Sequence, residues 1–272
     1  MPIIAIADPA DARLSRYANL PGEAGDAAER PTFIVEGRWC VQSLAASGLP
    51  TESVVVQAGR EQEVSAWFPD SVPIYVLSAA QIRTLVGFDF HRGILACGRR
   101  PPQRPIEELK FAPQDCPIAL AVLGVSQRDN LGSMVRTATS LGIDRLILGP
   151  RTADLFSRRA IRVSMGAALS QAVYHLNDSQ RELAAVAKAG GLRTVVTSLS
   201  PDATPLHDFV VDERPIILVV GSEPDGVDTD VQSIATDRVQ IPMRLGMDSL
   251  NVSVAAAIFM YDLVRRLYPP SA

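Results

Sequence analysis

The sequence predicts an α/β fold in two segments, on three observations. Short β-branched or apolar runs alternate with stretches at helical spacing along most of the chain. Several runs in the second half, among them 118–124 and 216–221, are apolar without a break, as in parallel strands covered on both faces. Between the halves, CGRRPPQRPIEELKFAPQDCP (97–117) holds five prolines and a cluster of arginines with no apolar period, the composition of a linker. The expected boundaries are therefore 1–98, a linker over 99–116, and 117–272. A length of 272 residues allows one or two domains and a sizeable core.

Taken in order, residues 1–30 are rich in Ala, Asp and Glu and poorly patterned, which predicts a mobile lead-in or a short helix. TFIVEG (32–37), SVVVQ (53–57), PIYVL (73–77) and GILAC (93–97) have the length and composition of strands. RWCVQSLAASG (38–48) sets Val41, Leu44 and Ala45 at helical spacing and stops at Gly48. SAAQIRTLVG (78–87) opens on Ser78 as a cap and carries Ile82 and Leu85. A small α/β layer fold follows. In the second segment, strands are expected at 118–124, 145–149, 172–176, 193–197, 216–221 and 239–241. Helices are expected at 131–141, 157–164, 178–190 and 251–267. Such an open parallel sheet places ligands beyond the carboxyl ends of its strands.

Composition narrows the function classes. The chain is 47 % hydrophobic and 21 % charged, with a formal charge of -4 that counts against bulk nucleic-acid binding. Of its 26 basic residues only Lys110 and Lys188 are lysines. Three widely spaced cysteines, Cys40, Cys97 and Cys116, make neither a disulfide framework nor a zinc site, so a reducing, cytoplasmic setting and no metal are expected. The N-terminus lacks a basic region ahead of its apolar residues, so no signal peptide is read there. No apolar run approaches the roughly 20 residues a membrane helix needs.

Three strand ends can carry chemistry. In QRDNLGSMVRTATSLG (127–142), Asn130 follows a strand, Gly132 comes next, and Arg136 lies further along the helix. A helix beginning near Asn130 favours an anion at its free N–H groups, and Arg136 offers a forked cationic donor for phosphate. The alternative is an N-cap followed by a solvated arginine. In ILVVGSEPDGV (217–227), Gly221 and Gly226 permit a tight turn and close ligand approach, and Glu223 either orients a ligand or simply sits near a helix N-terminus. In 239–267, Ser249 or Asn251 caps a helix whose Val252, Ala255, Ala256, Phe259, Met260, Leu263, Val264 and Leu267 form one apolar face. Val254, Ile258 and Tyr261 add apolar bulk on another face, which is buried either within the chain or against a second subunit. A dinucleotide site fails for want of GxGxxG, and no P-loop is present. Ser249 has no evident triad, since His91, His175 and His207 are scattered.

In this order and spacing, the three motifs closely resemble the SpoU (TrmH) family of the SPOUT superfamily, S-adenosylmethionine-dependent RNA ribose 2′-O-methyltransferases. The matching residues are Asn130, Gly132 and Arg136, then Gly221, Glu223 and Gly226, then Ile241–Met243 and Ser249–Ala255. RRAIRVSMGA (158–167) resembles the family's Arg-x-Ser-x-Gly segment, and the first segment is similar to its ribosomal-protein-like RNA-binding domain. Two departures bear on loop shape: Arg244 and Leu245 precede Gly246 where a small residue and Gly are common, and Pro224 stands at an often small position. The resemblance implies a deep trefoil knot, which no general rule would predict, and a homodimer with the catalytic site at its interface.

The resemblance also implies residue roles. Arg136, Asn130, Glu223, Ser249 and Asn251 make the catalytic set, with Asn130 and Glu223 orienting Arg136 or the target nucleotide. Gly221, Ile241, Leu250 and Ser249 hold the cofactor. A guanidinium is very hard to deprotonate, so Arg136 is expected to position the phosphate and stabilise charge developing on oxygen. RNA contacts are expected from Arg158, Arg159 and Arg162 on one helix face, and from Arg92, Arg99, Arg100 and Arg104; each run equally fits a solvated surface. Ribosomal RNA is favoured over transfer RNA by the presence of the first domain. The competing readings are a transfer-RNA 2′-O-methyltransferase, a non-catalytic RNA-binding dimer that kept the fold, and a small-molecule methyltransferase.

Overall fold

The computed structural model describes residues 2–20, 30–222, 226–244 and 249–268. Its contacts divide the chain into two compact units: Met1–Pro102 with Asp154–Ser170, and Gln103–Ala153 with Gln171–Ala272.

The first unit is built on strands β1 (Ile3–Ala5), β2 (Thr32–Glu36), β3 (Thr51–Gln57), β4 (Ile74–Leu77) and β5 (Ile94–Arg99), in the order β1-β4-β3-β5-β2. β1, β4 and β3 run parallel, and β5 is antiparallel to both β3 and β2. Helices α1 (Arg38–Ala46), α2 (Glu61–Ser65) and α3 (Ala79–Val86) connect them. α3 starts where the Ser78 cap predicts: its Oγ accepts the Gln81 N–H at 3.2 Å, and Gln81 Oε1 accepts the Ser78 N–H at 2.8 Å. The poorly patterned lead-in contains the three-residue strand β1 and a 3-10 helix, Ala12–Tyr17, which is the short-helix alternative, while 21–29 lie outside the described residues. A strand this short shows no alternation. It is anchored by Leu14 and Tyr17, both fully buried, with the Tyr17 hydroxyl donating to the Ser53 carbonyl at 2.9 Å.

The second unit is a parallel sheet of β6 (Arg104–Pro105), β7 (Ile118–Val122), β8 (Arg145–Leu148), β9 (Ala172–His175), β10 (Arg193–Thr197), β11 (Thr204–Pro205), β12 (Ile216–Val220) and β13 (Asp237–Gln240). Their order is β11-β13-β10-β12-β7-β8-β9-β6. β7 and β12, the two uninterrupted apolar runs, pair at the centre and are buried along their whole length. Around them lie α4 (Arg128–Ser140), α6 (Ser179–Gly190), α7 (Thr229–Ser233) and α8 (Val252–Leu267); α5 (Arg158–Val163) belongs to the first unit.

Two stretches differ from the sequence expectation. The proline-rich span expected as a linker is partly built in. β6 pairs with β9 at the sheet edge, where a proline is tolerated, and Ile106 and Leu109 bury in the core of the second unit. The stretch 154–170, expected with the second segment, packs in the first unit, with α5 against β2. The cause is a buried carboxylate. Glu36 on β2 is 2 % exposed and pairs with Arg158 at 3.2 Å and Arg162 at 2.6 Å. Phe156 adds a ring contact to Phe33, with centroids 4.9 Å apart.

Candidate active site

Two groups of motif residues come together in the second unit: Asn130 with Asn251 at helix starts, and Gly221, Gly226, Ile241, Ser249 and Leu250 around one cavity after β12 and β13. α4 begins at Arg128, with Gln127 at its N-cap position, so Asn130 lies inside the first turn and is 8 % exposed. Asn251 caps α8, accepting the Ser253 N–H at 2.9 Å. Its Nδ2 donates to Asn130 Oδ1 at 3.0 Å, and Asn130 Nδ2 donates to Gln127 Oε1 at 3.2 Å. The first and third motifs are thus joined by one side-chain hydrogen bond, 121 residues apart in sequence. Of the two cap candidates, Asn251 is the cap and Ser249 lies outside the helix.

Arg136 points elsewhere. Six residues along a helix turn the direction by about 240°, so Arg136 is exposed while Asn130 is turned inward. Its guanidinium makes no hydrogen bond or ion pair among the described residues, and within one chain Asn130 orients Asn251 and not Arg136. Glu223 and Pro224 lie outside the described residues, as do Leu245 and Gly246.

The turn after β12 is closed by glycines. A Cβ at Gly221 would come 2.1 Å from the Gly226 carbonyl oxygen. Gly226 has φ +67°, and its N–H donates to the Ser222 carbonyl at 2.7 Å. No larger residue at position 221 leaves this approach intact.

This turn forms one wall of a cavity of about 350 Å³, within the range typical of small-ligand sites. The cavity gathers Gly221, Ile241, Ser249 and Leu250, four residues expected at the cofactor, from the loops after β12 and β13. Asn130, Arg136 and Asn251 are not in its lining. Sequence reasoning missed the third wall, Thr197–Ser200 after β10, and the contributions of Gln232 and Phe259. The general rule that ligands lie beyond parallel strand ends includes Thr197–Ser200 but does not single them out from the other strand ends. Among the described residues the lining holds no Asp, Glu, His, Lys or Arg. Apolar side chains such as Val227, Ile241, Leu250 and Phe259 stand beside hydroxyls and exposed backbone, which suits a planar base and sugar. The described lining suits binding and offers no acid or base to move a proton.

All the arginines expected at RNA except Arg104 lie in the first unit. Arg158 and Arg162 face Glu36, while Arg159 is exposed, so the three do not share a solvent face. Arg100 forms a two-pronged pair with Asp154 at 2.8 and 2.6 Å. Arg99 is exposed and pairs with Glu52 at 3.0 Å, and Arg92 is exposed. Arg104 is exposed on β6, in the second unit. Among the described residues no group of three or more His, Cys, Asp or Glu could hold a metal, and no helix is long and apolar enough to cross a membrane.

A model of the SpoU rRNA methylase family matches residues 117–261. The chain belongs to the SpoU rRNA methylase family. This SpoU methylase is 32 % identical, over 96 % of its length and 91 % of the relative's, to an uncharacterized tRNA/rRNA methyltransferase of Mycobacterium bovis. It is 27 % identical to the 23S rRNA (guanosine(2553)-2′-O)-methyltransferase RlmP of Bacillus subtilis, covering 85 % of this chain and 88 % of that one. Its fold matches the crystal structure of an AdoMet-bound rRNA methyltransferase from Sinorhizobium meliloti with a TM-score of 0.84, over 97 % of this chain and 98 % of that one, at 21 % identity. The matched SpoU region contains all three motif turns and both asparagines of the inter-motif hydrogen bond.

Proposed function

We propose that this SpoU methylase transfers a methyl group from S-adenosylmethionine to a ribose 2′-hydroxyl of ribosomal RNA. The observation that carries the reading is the cavity walled by the loops after β10, β12 and β13, into which the family's second and third motifs converge. Relatives named for 2′-O-methylation of 23S rRNA favour ribosomal over transfer RNA.

S-adenosylmethionine, when bound, supplies a methyl group on a sulfonium. The glycine cradle at Gly221 and Gly226 admits a ligand against bare backbone, and Ile241 and Leu250 provide apolar cover for an adenosine. Ser249 adds a hydroxyl at the rim. Asn251, tied to Asn130, fixes the start of α8 and hence the wall that carries Val252, Ala255 and Phe259. Glu223 is assigned to the target nucleotide. Arg136 grips the phosphate next to the target ribose and stabilises negative charge as the hydroxyl proton leaves to phosphate or water.

The working molecule is a homodimer. Val254, Ile258 and Tyr261 line one exposed stripe of α8, which packs against α4, the helix that presents Arg136. A second copy on this stripe brings an exposed Arg136 to an interfacial site. The loops around the cavity are the ones expected to form a trefoil knot. The first unit is assigned to RNA binding on a ribosomal-protein-like fold. Arg100, Arg158 and Arg162 are turned inward to carboxylates, and RNA contact is assigned to the exposed Arg92, Arg99 and Arg159. Three buried thiols fit a cytoplasmic enzyme.

The test is methyl transfer from labelled cofactor to total RNA, followed by a ribose-methylation map of RNA from a host with and without the gene. One 2′-O-methyl group missing from ribosomal RNA in the deletion supports the reading. A missing methyl in transfer RNA rejects the substrate, and no transfer at all rejects the enzyme.

A further inference from the structure

The first unit carries an exposed indole that packing does not account for. Trp39, the second residue of α1, is 65 % exposed and is the largest apolar side chain so placed among the described residues. Tryptophan is ordinarily withdrawn from water over most of its surface. The Arg38 guanidinium lies 5.7 Å from the Trp39 ring centroid and 5.9 Å from that of Trp67. The chain's two tryptophans therefore flank one cation. Arg38 and Arg60 each pair with Glu63 at 3.0 Å, and Arg60 also donates to the Arg92 carbonyl at 2.8 Å. The Arg92 side chain lies over Gly37, where an added Cβ would come 3.1 Å from Arg92 Cδ. Two guanidiniums thus share the one carboxylate of Glu63, and the exposed Arg92 lies beside them.

We propose that Trp39 is a stacking platform for an unpaired RNA base, with Arg38 and Arg92 facing the flanking phosphates. The proposal rests on the RNA-methyltransferase reading above and adds how the first unit engages its substrate. An unpaired nucleotide offers a flat π face and a negative phosphate, and an indole beside guanidiniums answers both. Charge complementarity favours RNA over a protein partner: the Arg38 guanidinium lies over the ring, and Arg60 and Arg92 follow it in the same network. Stacking tolerates any base, so the platform lends affinity for single-stranded RNA without reading sequence.

The test uses the full chain and an unstructured single-stranded RNA oligonucleotide. In the Trp67→Phe protein, Trp39 is the sole indole, and RNA is expected to quench its fluorescence. In the otherwise native chain, Trp39→Ala is expected to weaken binding by about tenfold or more, with Trp39→Phe keeping part of the affinity. The salt slope should stay unchanged in Trp39→Ala and fall in Arg92→Ala, since only the second loses a phosphate contact. Unquenched Trp39 together with native affinity in Trp39→Ala overturns the platform. So does a Trp39→Ala chain that changes its oligomeric state at native RNA affinity, which would make the patch a protein interface. Labelled methyl transfer to total RNA without Trp39 quenching overturns the platform alone; failure of that transfer overturns the methyltransferase reading by itself.

Discussion

Gly221 has no room for any side chain, because a methyl group there would overlap the Gly226 carbonyl. Gly221→Ala is expected to weaken S-adenosylmethionine binding at least tenfold by calorimetry. Arg136 lies outside the cavity, so Arg136→Ala should leave that affinity intact and lower turnover by about a hundredfold. Equal loss of affinity and rate in Arg136→Ala would reject its role at the phosphate. Asn130 and Asn251 are coupled: Asn251→Ala loses a helix cap worth about 1 kcal/mol and strips Asn130 Oδ1 of its donor. A double-mutant cycle on the pair should show coupling on the order of 1 kcal/mol in thermal or urea unfolding. The thiols are inert by environment, since burial pushes Cys97 and Cys116 up to about 11 and raises Cys40 as well. Raised values keep all three protonated through neutral pH, so a small alkylating reagent should label them only on unfolding.

At the scale of elements, the exposed stripe of α8 sets the oligomeric prediction. Ile258→Arg should convert a dimer to a monomer in sedimentation and abolish methylation, while S-adenosylmethionine affinity is retained because the lining of the cavity proposed for it excludes Ile258. The long strands and helices were legible in the sequence because their burial is periodic or continuous: β7, β12, α6 and α8 lie within a few residues of where the pattern puts them. β1 and β6, with three and two residues, are too short to show any period and exist only through their partners β4 and β9. The site divides in the same way. Gly221, Ile241, Ser249 and Leu250 were legible through motif turns, whereas Thr197–Ser200 sit in a loop with no distinctive residue. Their membership depends on β10 lying beside β12, a pairing set by tertiary structure. The inward turn of Arg158 and Arg162 was hidden for a similar reason, because Glu36 is more than a hundred residues away.

Across the whole molecule, charge is an average that conceals its distribution. A total of -4 coexists with an arginine and tryptophan cluster around Arg38, Arg60 and Arg92. Non-specific RNA binding should be weak and should collapse with added salt. Arg92→Ala or Arg99→Ala should reduce the salt slope by about one, whereas Arg158→Ala should act on stability first. Glu36→Ala is the sharper stability test. It leaves two guanidiniums without their buried carboxylate, a loss on the order of 3 kcal/mol read as a lower unfolding midpoint.

The chain passes between its two units three times, at 102–103, 153–154 and 170–171. A protease nick in the proline-rich passage therefore cuts the first unit itself in two: 1–102 loses its covalent tie and is held by packing on 154–170, including the Glu36 pairs with Arg158 and Arg162. The same threading constrains inheritance. A gene fragment ending at residue 102 leaves α5 behind and strips Glu36 of both its arginines. The first unit cannot be exchanged between relatives as one contiguous cassette, because 154–170 is encoded inside the other half.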